Sequence, residues 1–142
     1  MRISDVLRHK GDGVITVTPA ETVEGLIALL DQHHIGAMVV STDGTQMGGI
    51  VSERDVVRRL HADGPATLGQ TVAEIMTSVV HTCSPSDTVD DLMRVMTDQR
   101  VRHIPVVVDG RLVGIVSIGD VVKHRIDELT RERDHLEAYI HQ

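Results

Sequence analysis

The chain reads as a mixed α/β (α+β) fold: two copies of one strand–helix–strand–strand–helix unit packed as a pseudo-twofold pair, with a long helix at the C-terminal end. Two observations lead there. The sequence superimposes on itself, and each copy alternates short apolar strands with helices of 3.6-residue periodicity. At an offset of 66, Pro19 meets Pro85, Thr22-Val23 meets Thr88-Val89, Leu26 meets Leu92, Val40 meets Val106 and Asp43-Gly44 meets Asp109-Gly110. The offset then drops to 65, so that Gly49-Ile50-Val51-Ser52 meets Gly114-Ile115-Val116-Ser117 and Asp55-Val56-Val57 meets Asp120-Val121-Val122. A one-residue length difference falls in a surface turn, where chain length changes closure entropy only slowly.

Each copy begins with a short strand, Val14 to Val17 or Val79 to Thr82, halted by Pro19 or Pro85 because proline cannot continue a ladder. A helix follows, with Val23, Leu26, Ile27 and Leu30 on one face in the first copy and Val89, Leu92, Met93 and Met96 in the second. An apolar strand, Ala37 to Val40 or Ile104 to Val108, then enters an Asp-Gly hairpin turn. The return strands, through Gly49-Ile50-Val51 or Leu112 to Val116, end at Ser52 and Ser117, and a second helix starts near Asp55 or Asp120. The segment from His61 to Gln70, containing Asp63-Gly64-Pro65, reads as the connection. The division is 1–62 for repeat 1, 63–70 for the linker, 71–125 for repeat 2 and 126–142 for a helical extension. From Val121 the chain reads as one helix, with Val122, Ile126, Leu129, Leu136 and Ile140 forming a short coiled-coil seam that suits a homodimer contact. Asp127 with Arg131 and Arg133 with Glu137 offer i,i+4 pairs along it.

Composition narrows the function classes. The 142 residues carry a net charge of −7, 41% apolar residues, no Trp or Phe and one Tyr. The core must therefore be aliphatic, and a second independent core is not expected at this length. Acidic charge and missing aromatics disfavour nucleic-acid binding. No apolar run is long enough for a membrane helix and the N-terminus has no signal-peptide pattern, so a cytoplasmic protein is expected. The single cysteine, Cys83, cannot form an internal disulfide. It lies next to a candidate site, which raises a redox role, although a lone cysteine is usually a small apolar filler. Nine histidines are present, but none shows metal-ligand spacing. No metal is expected.

The repeated Gly-Ile-Val-Ser-x-x-Asp segment carries the chemistry. A strand ending in a hydroxyl and turning into a helix leaves backbone N–H groups that favour a phosphate, to which Ser52 and Ser117 add a donor. Asp55 and Asp120, three residues on, can cap the helix or accept the two hydroxyls of a ribose. Capping is the ordinary role of such an Asp; its recurrence at one place in both copies, with Gly and Ser retained, argues for a ligand. Two copies, neither large enough to bury both faces of its sheet, must pack on each other, creating two equivalent clefts.

These segments, together with Val101-Arg102-His103-Ile104-Pro105-Val106, its counterpart Ile35-Gly36-Ala37-Met38-Val39-Val40 and the strand-Pro-helix openings, resemble the CBS domain, named after cystathionine β-synthase. The resemblance spans nearly the whole chain as a tandem pair. It implies a βαββα fold per copy, a flat disc of two pairs, and regulation of a partner in trans by AMP, ADP or ATP, with NAD(H) or S-adenosylmethionine as further ligands. By the family pattern Asp55 and Asp120 hold ribose hydroxyls, Ser52 and Ser117 face ribose or phosphate, and Thr16, Thr18, Thr82 and Ser84 line the sites. Adenine would lie between Ile35, Gly36, Ala37, Met38 and Ile50 in one cleft, and Val101, His103, Ile104, Pro105 and Ile115 in the other. Val39 stands where the second copy has Pro105, and Arg54 precedes Asp55 where Gly119 precedes Asp120, so the sites can differ in affinity. Arg54 offers a guanidinium to phosphate or is a solvated surface charge, and Arg102 carries the same two readings. The alternative class is a structural interaction protein whose clefts stay empty. An enzyme is disfavoured, since no nucleophile–base pair, metal motif or Walker loop is present.

Overall fold

A computed structural model describes residues 1–142 except Asp12, Val79 and Gln142. In the first repeat, β1 (Thr16–Val17) runs parallel to β2 (Ala37–Val40), which pairs antiparallel with β3 (Gly49–Ser52). The second repeat has β4 (His103–Val108) antiparallel to β5 (Arg111–Ser117). The helices are α1 (Ile3–Lys10), α2 (Val23–His33), α3 (Glu53–Asp63), α4 (Val72–Ile75), α5 (Val89–Gln99) and α6 (Ile118–Ile140), with a 3-10 segment over Gly64–Gly69.

The periodicity is realised in matched pairs. Thr22 and Thr88 each cap a helix by accepting the N–H three residues on, from Gly25 and Asp91, both at 3.1 Å. Both helices end on a residue in the left-handed region, His34 at φ 53° and Arg100 at φ 54°. The two hairpins differ. Asp109 and Gly110 both take positive φ, 50° and 79°, and make the tight turn that the Asp-Gly pair predicts. Asp43 instead organises a longer loop, its Oδ1 accepting the N–H groups of Thr45 and Gln46 at 2.9 Å each. Those hydrogen bonds pull its carboxyl down to about 2.

Several expectations are corrected. The first strand spans only Thr16–Val17 rather than Val14 to Val17. Its expected counterpart begins at Val79, outside the described residues, and residues 80–82 form no strand; only Cys83 makes a parallel bridge, to Val106. The connecting segment is ordered as helix to Asp63 and then 3-10, with Thr67 fully buried and its hydroxyl donating to the Arg59 carbonyl at 3.1 Å. On α6, among the described residues neither Asp127–Arg131 nor Arg133–Glu137 pairs; the ion pairs within the helix are Arg125–Glu128 at 3.2 Å and Arg133–Asp134 at 3.2 Å.

The interior also departs from the single core expected from length. Buried apolar side chains form two aliphatic clusters, one per repeat. Each cluster is completed by a segment that precedes the other repeat. Ile3 and Val6 of α1 are buried with Cys83, Val89, Leu92, Ile104, Val106 and Val116, while Val72 and Ile75 of α4 are buried with Val17, Leu26, Met38, Val40 and Val51. The two segments are themselves related. At the start of each, a carboxylate three residues on accepts the N–H of the residue before the helix, Asp5 from Arg2 at 3.0 Å and Glu74 from Thr71 at 2.8 Å, and the next turn lays Leu7 over Gly114 and Met76 over Gly49. A Cβ at Gly114 would stand 2.6 Å from the Leu7 side chain, and one at Gly49 would stand 2.7 Å from the Thr77 carbonyl oxygen. Close approach of the backbone requires glycine at Gly49, whereas at Gly114 the tip of Leu7 would have to turn aside. Exchange of these short helices locks the repeats together.

Candidate functional site

Both candidate acids sit where strand gives way to helix, at the third residue of α3 and of α6. Ser52 and Ser117 are the caps: Asp55 N–H donates to Ser52 Oγ at 3.4 Å and Asp120 N–H to Ser117 Oγ at 3.1 Å. In return Asp55 Oδ2 accepts from Ser52 N–H at 2.8 Å, and Asp120 Oδ2 from Ser117 N–H at 2.9 Å. The ordinary capping role is thus filled in both copies, through a single carboxylate oxygen. Among the described residues Oδ1 of Asp55 takes no hydrogen bond and remains available to a ligand.

The boxes also correct the expected source of phosphate attraction. Glu53 N–H donates to the Gly36 carbonyl at 2.9 Å and Ile118 N–H to that of Arg102 at 2.8 Å. With Ser52 and Asp55 N–H already engaged, the start of α3 is largely satisfied from within. Positive charge comes from side chains instead.

A cavity of about 230 Å³ opens at Asp55. From repeat 1 it is lined by Gly36, Ala37, Ile50, Ser52, Arg54 and Asp55; from repeat 2, by Val101, Arg102 and His103. Sequence reasoning assigned these three to the opposite cleft. The structure brings them to Asp55 because the strand start of one repeat abuts the helix start of the other at the pseudo-twofold junction. Glu53, Arg58, Thr77, Val80, His81 and Arg100 complete the lining and were not anticipated. Arg58 had a signal, since it lies four residues after Arg54 and shares its helix face. Arg100 had none, because its place depends on the left-handed end of α5.

Arg54, Arg58, Arg100 and Arg102 gather here four of the chain's 14 basic residues, and none is ion-paired among the described residues. Arginine offers planar, multidentate donors to phosphate. His103, half-buried in the wall, is held neutral: burial lowers its pKa, Lys10 and Arg102 lower it further, and Asp120 and Glu53 oppose them.

Other expected lining residues fall elsewhere. Met38, Ile104 and Pro105 are buried, Met38 and Ile104 within the two aliphatic clusters. Ile35 lines a shallow groove between α2 and α3. Thr16 pairs with Val39 in the sheet, and Ser84 is held by Asp87 and Ser86 beneath α1. Thr18 and Thr82 are exposed away from the cavity lining. Cys83 is a core thiol pushed up to about 12 by burial, with Asp87 adding to the shift, so it is poorly suited to redox chemistry. No group of three or more metal-ligating side chains gathers among the described residues.

The second cleft is not equivalent to the first. Lys10 Nζ donates to Asp120 Oδ2 and to the Ile115 carbonyl, both at 2.7 Å, and neither Asp120, Ser117 nor Ile115 lines the cavity. Burial raises the Asp120 pKa, but the Lys10 and Ser117 hydrogen bonds outweigh it and leave the carboxyl lowered.

Two aliphatic repeats, joined by exchanged helices around a cavity with a capped aspartate, define a tandem-repeat module, and the chain belongs to the CBS domain family. The family's model matches residues 3–62 and 72–127. The chain is 40% identical over 146 residues to the mitochondrial CBS domain-containing protein CBSX3 of Arabidopsis thaliana, covering 97% of this chain and 71% of that protein. Its fold matches the crystal structure of the CBS-domain protein ATU1752 from Agrobacterium tumefaciens, with a TM-score of 0.85 and 43% identity over 88% of this chain and 99% of that one. It also matches CBSX2, crystallised in complex with AMP, with a TM-score of 0.74 and 25% identity over 89% of this chain and 96% of that one. None of the described helices is long and apolar enough to cross a membrane.

Proposed function

We propose that this protein is a regulatory module that binds a phosphorylated adenosine, AMP, ADP or ATP, in the cavity at Asp55. The observation that carries the reading is the convergence, in one cavity between the repeats, of an aspartate and four arginines, with Asp55 Oδ1 uncommitted and none of the arginines ion-paired among the described residues. Asp55 Oδ1 accepts from the ribose diol, Arg54 and Arg58 on one side and Arg100 and Arg102 on the other attract phosphate, and Ala37, Ile50, Val80 and Val101 supply apolar walls for the base. The AMP complex of CBSX2 supports the ligand class. NAD(H) fits the same chemistry, whereas S-adenosylmethionine, bearing a cationic sulfonium, is the weaker candidate beside four guanidiniums.

Because the lining comes from both repeats, occupancy favours one relative arrangement of them, and a separate protein reads that arrangement in the cytoplasm. We read the module as regulatory rather than catalytic: in the cavity the Ser52 hydroxyl is committed to Asp55 Oδ2 at 3.1 Å as part of the helix cap. The exposed apolar stripe of α6, Val122, Ile126, Leu129, Leu136 and Ile140, supports a homodimer.

Titration calorimetry with AMP, ADP, ATP, NAD(H) and S-adenosylmethionine tests the reading. Saturable binding of a phosphorylated adenosine is expected, weakened on the order of tenfold or more by Asp55→Ala, the scale of one lost charge-assisted hydrogen bond. Absence of binding by every compound, or unchanged binding in Asp55→Ala, overturns it.

A further inference from the structure

The pseudo-twofold symmetry of the repeats breaks where α1 and α4 end, and that break puts a cation into the second cleft. The chain past α4 leaves helix at Met76 and becomes extended, so that Thr77 exchanges two backbone hydrogen bonds with Ile50, N–H to O at 3.0 and 2.9 Å. Thr77 therefore walls the cavity at Asp55 and leaves it open. The related helix α1 does not stop there. It continues past Leu7 through Arg8, His9 and Lys10 before the chain turns away at Gly11, φ 92°. That extra turn carries Lys10 to Ile115, the counterpart of Ile50, and to Asp120, the counterpart of Asp55.

The geometry points to Lys10 as the residue that decides which cleft takes a ligand: its ammonium, supplied from within the chain, pairs with the Asp120 carboxylate and crowds the place beside it that a nucleotide's ribose would need, although Oδ1 of Asp120 itself takes no hydrogen bond among the described residues. This rests on the nucleotide reading above. Lys10 Nζ is 2.7 Å from Asp120 Oδ2 and 2.7 Å from the Ile115 carbonyl oxygen, and the two side chains are 38% and 24% exposed. The same Oδ2 accepts from Ser117 N–H, so helix cap and internal cation share one oxygen.

The arm that presents Lys10 is firmly seated. Ile3 and Val6 are fully buried, Ile3 N–H donates to Asp87 and Ser4 N–H to Pro85, and the His9 ring meets His124 edge-to-face with centroids 5.3 Å apart. Lys10 is consequently delivered at no further ordering cost to the backbone, and a ligand must displace an ammonium already at contact distance. Each chain therefore takes one nucleotide, at Asp55.

Native mass spectrometry and calorimetry with AMP test this on the full chain. The wild type is expected to bind one AMP per chain. Lys10→Met, which keeps the aliphatic stem and removes the ammonium, should bind a second, with affinity at that cleft raised on the order of tenfold or more. Adding Asp120→Asn to Lys10→Met should abolish only the second. Two Asp120-dependent AMP molecules on the wild type would overturn the inference and leave the nucleotide reading standing. So would a single AMP on Lys10→Met and Lys10→Ala proteins whose circular dichroism and Tm match the wild type. No AMP on any of these proteins would overturn both.

Discussion

Asp55 and Asp120 show how one residue type at one position of a repeat acquires two fates. Both spend an oxygen on the serine that caps their helix, and the contrast lies in what faces the carboxylate from outside: a cavity ringed by arginines for Asp55, an ammonium for Asp120. His103 stands between them, since Lys10 and Asp120 of one cleft and Arg102 and Glu53 of the other all act on it. Its pKa in the folded chain lies below the usual 6.5, chiefly from burial, so the unfolded chain binds the proton more readily. Its contribution to stability is then complete above pH 6.5 and declines as pH falls from there toward the folded value. Thermal melts across that range should show wild-type Tm falling more steeply with acidification than that of His103→Gln. Parallel curves for the two proteins would refute the assignment.

At the scale of elements, the exchanged helices α1 and α4 explain why neither repeat is self-sufficient. Each supplies two buried aliphatic side chains to a cluster on the far side of the sequence. The glycine beneath each helix sets how closely it seats, and the two contacts differ in kind. At Gly49 an added Cβ meets the Thr77 backbone oxygen and the Met76 sulfur; at Gly114 it meets only the branched end of Leu7. Gly49→Ala should therefore cost about 1–3 kcal/mol in urea unfolding, and weaken AMP binding because Thr77 lines the cavity. Gly114→Ala should cost less, since a leucine tip can turn aside and a backbone carbonyl cannot. Equal costs at the two glycines would count against this account. These helices are four and eight residues long with few apolar positions, which is too little periodicity to betray them in the sequence.

Over the whole molecule, α6 is the element with least to bury. Val121 and His124 face the repeat, and the stripe from Val122 to Ile140 is exposed, which suits contact with a second copy. Ile126→Glu with Leu129→Glu should turn a dimer into a monomer in sedimentation velocity without lowering Tm by more than a few degrees; a wild type that already sediments as a monomer would refute the dimer. Much of this architecture could be read directly from residue order. The duplication, the helix faces, the strand ends at Ser52 and Ser117 and the paired aspartates all follow from local periodicity and capping chemistry, which act within a few residues. Where those local units meet is another matter. That Arg100, Arg102 and His103 face Asp55, that Met38 and Ile104 turn into the core, and that Lys10 reaches Asp120 across 110 positions of chain are decided by packing across the pseudo-twofold axis. Two motifs nearly identical as strings thus become an open site and a closed one, because burial and charge pairing depend on neighbours in space rather than along the chain.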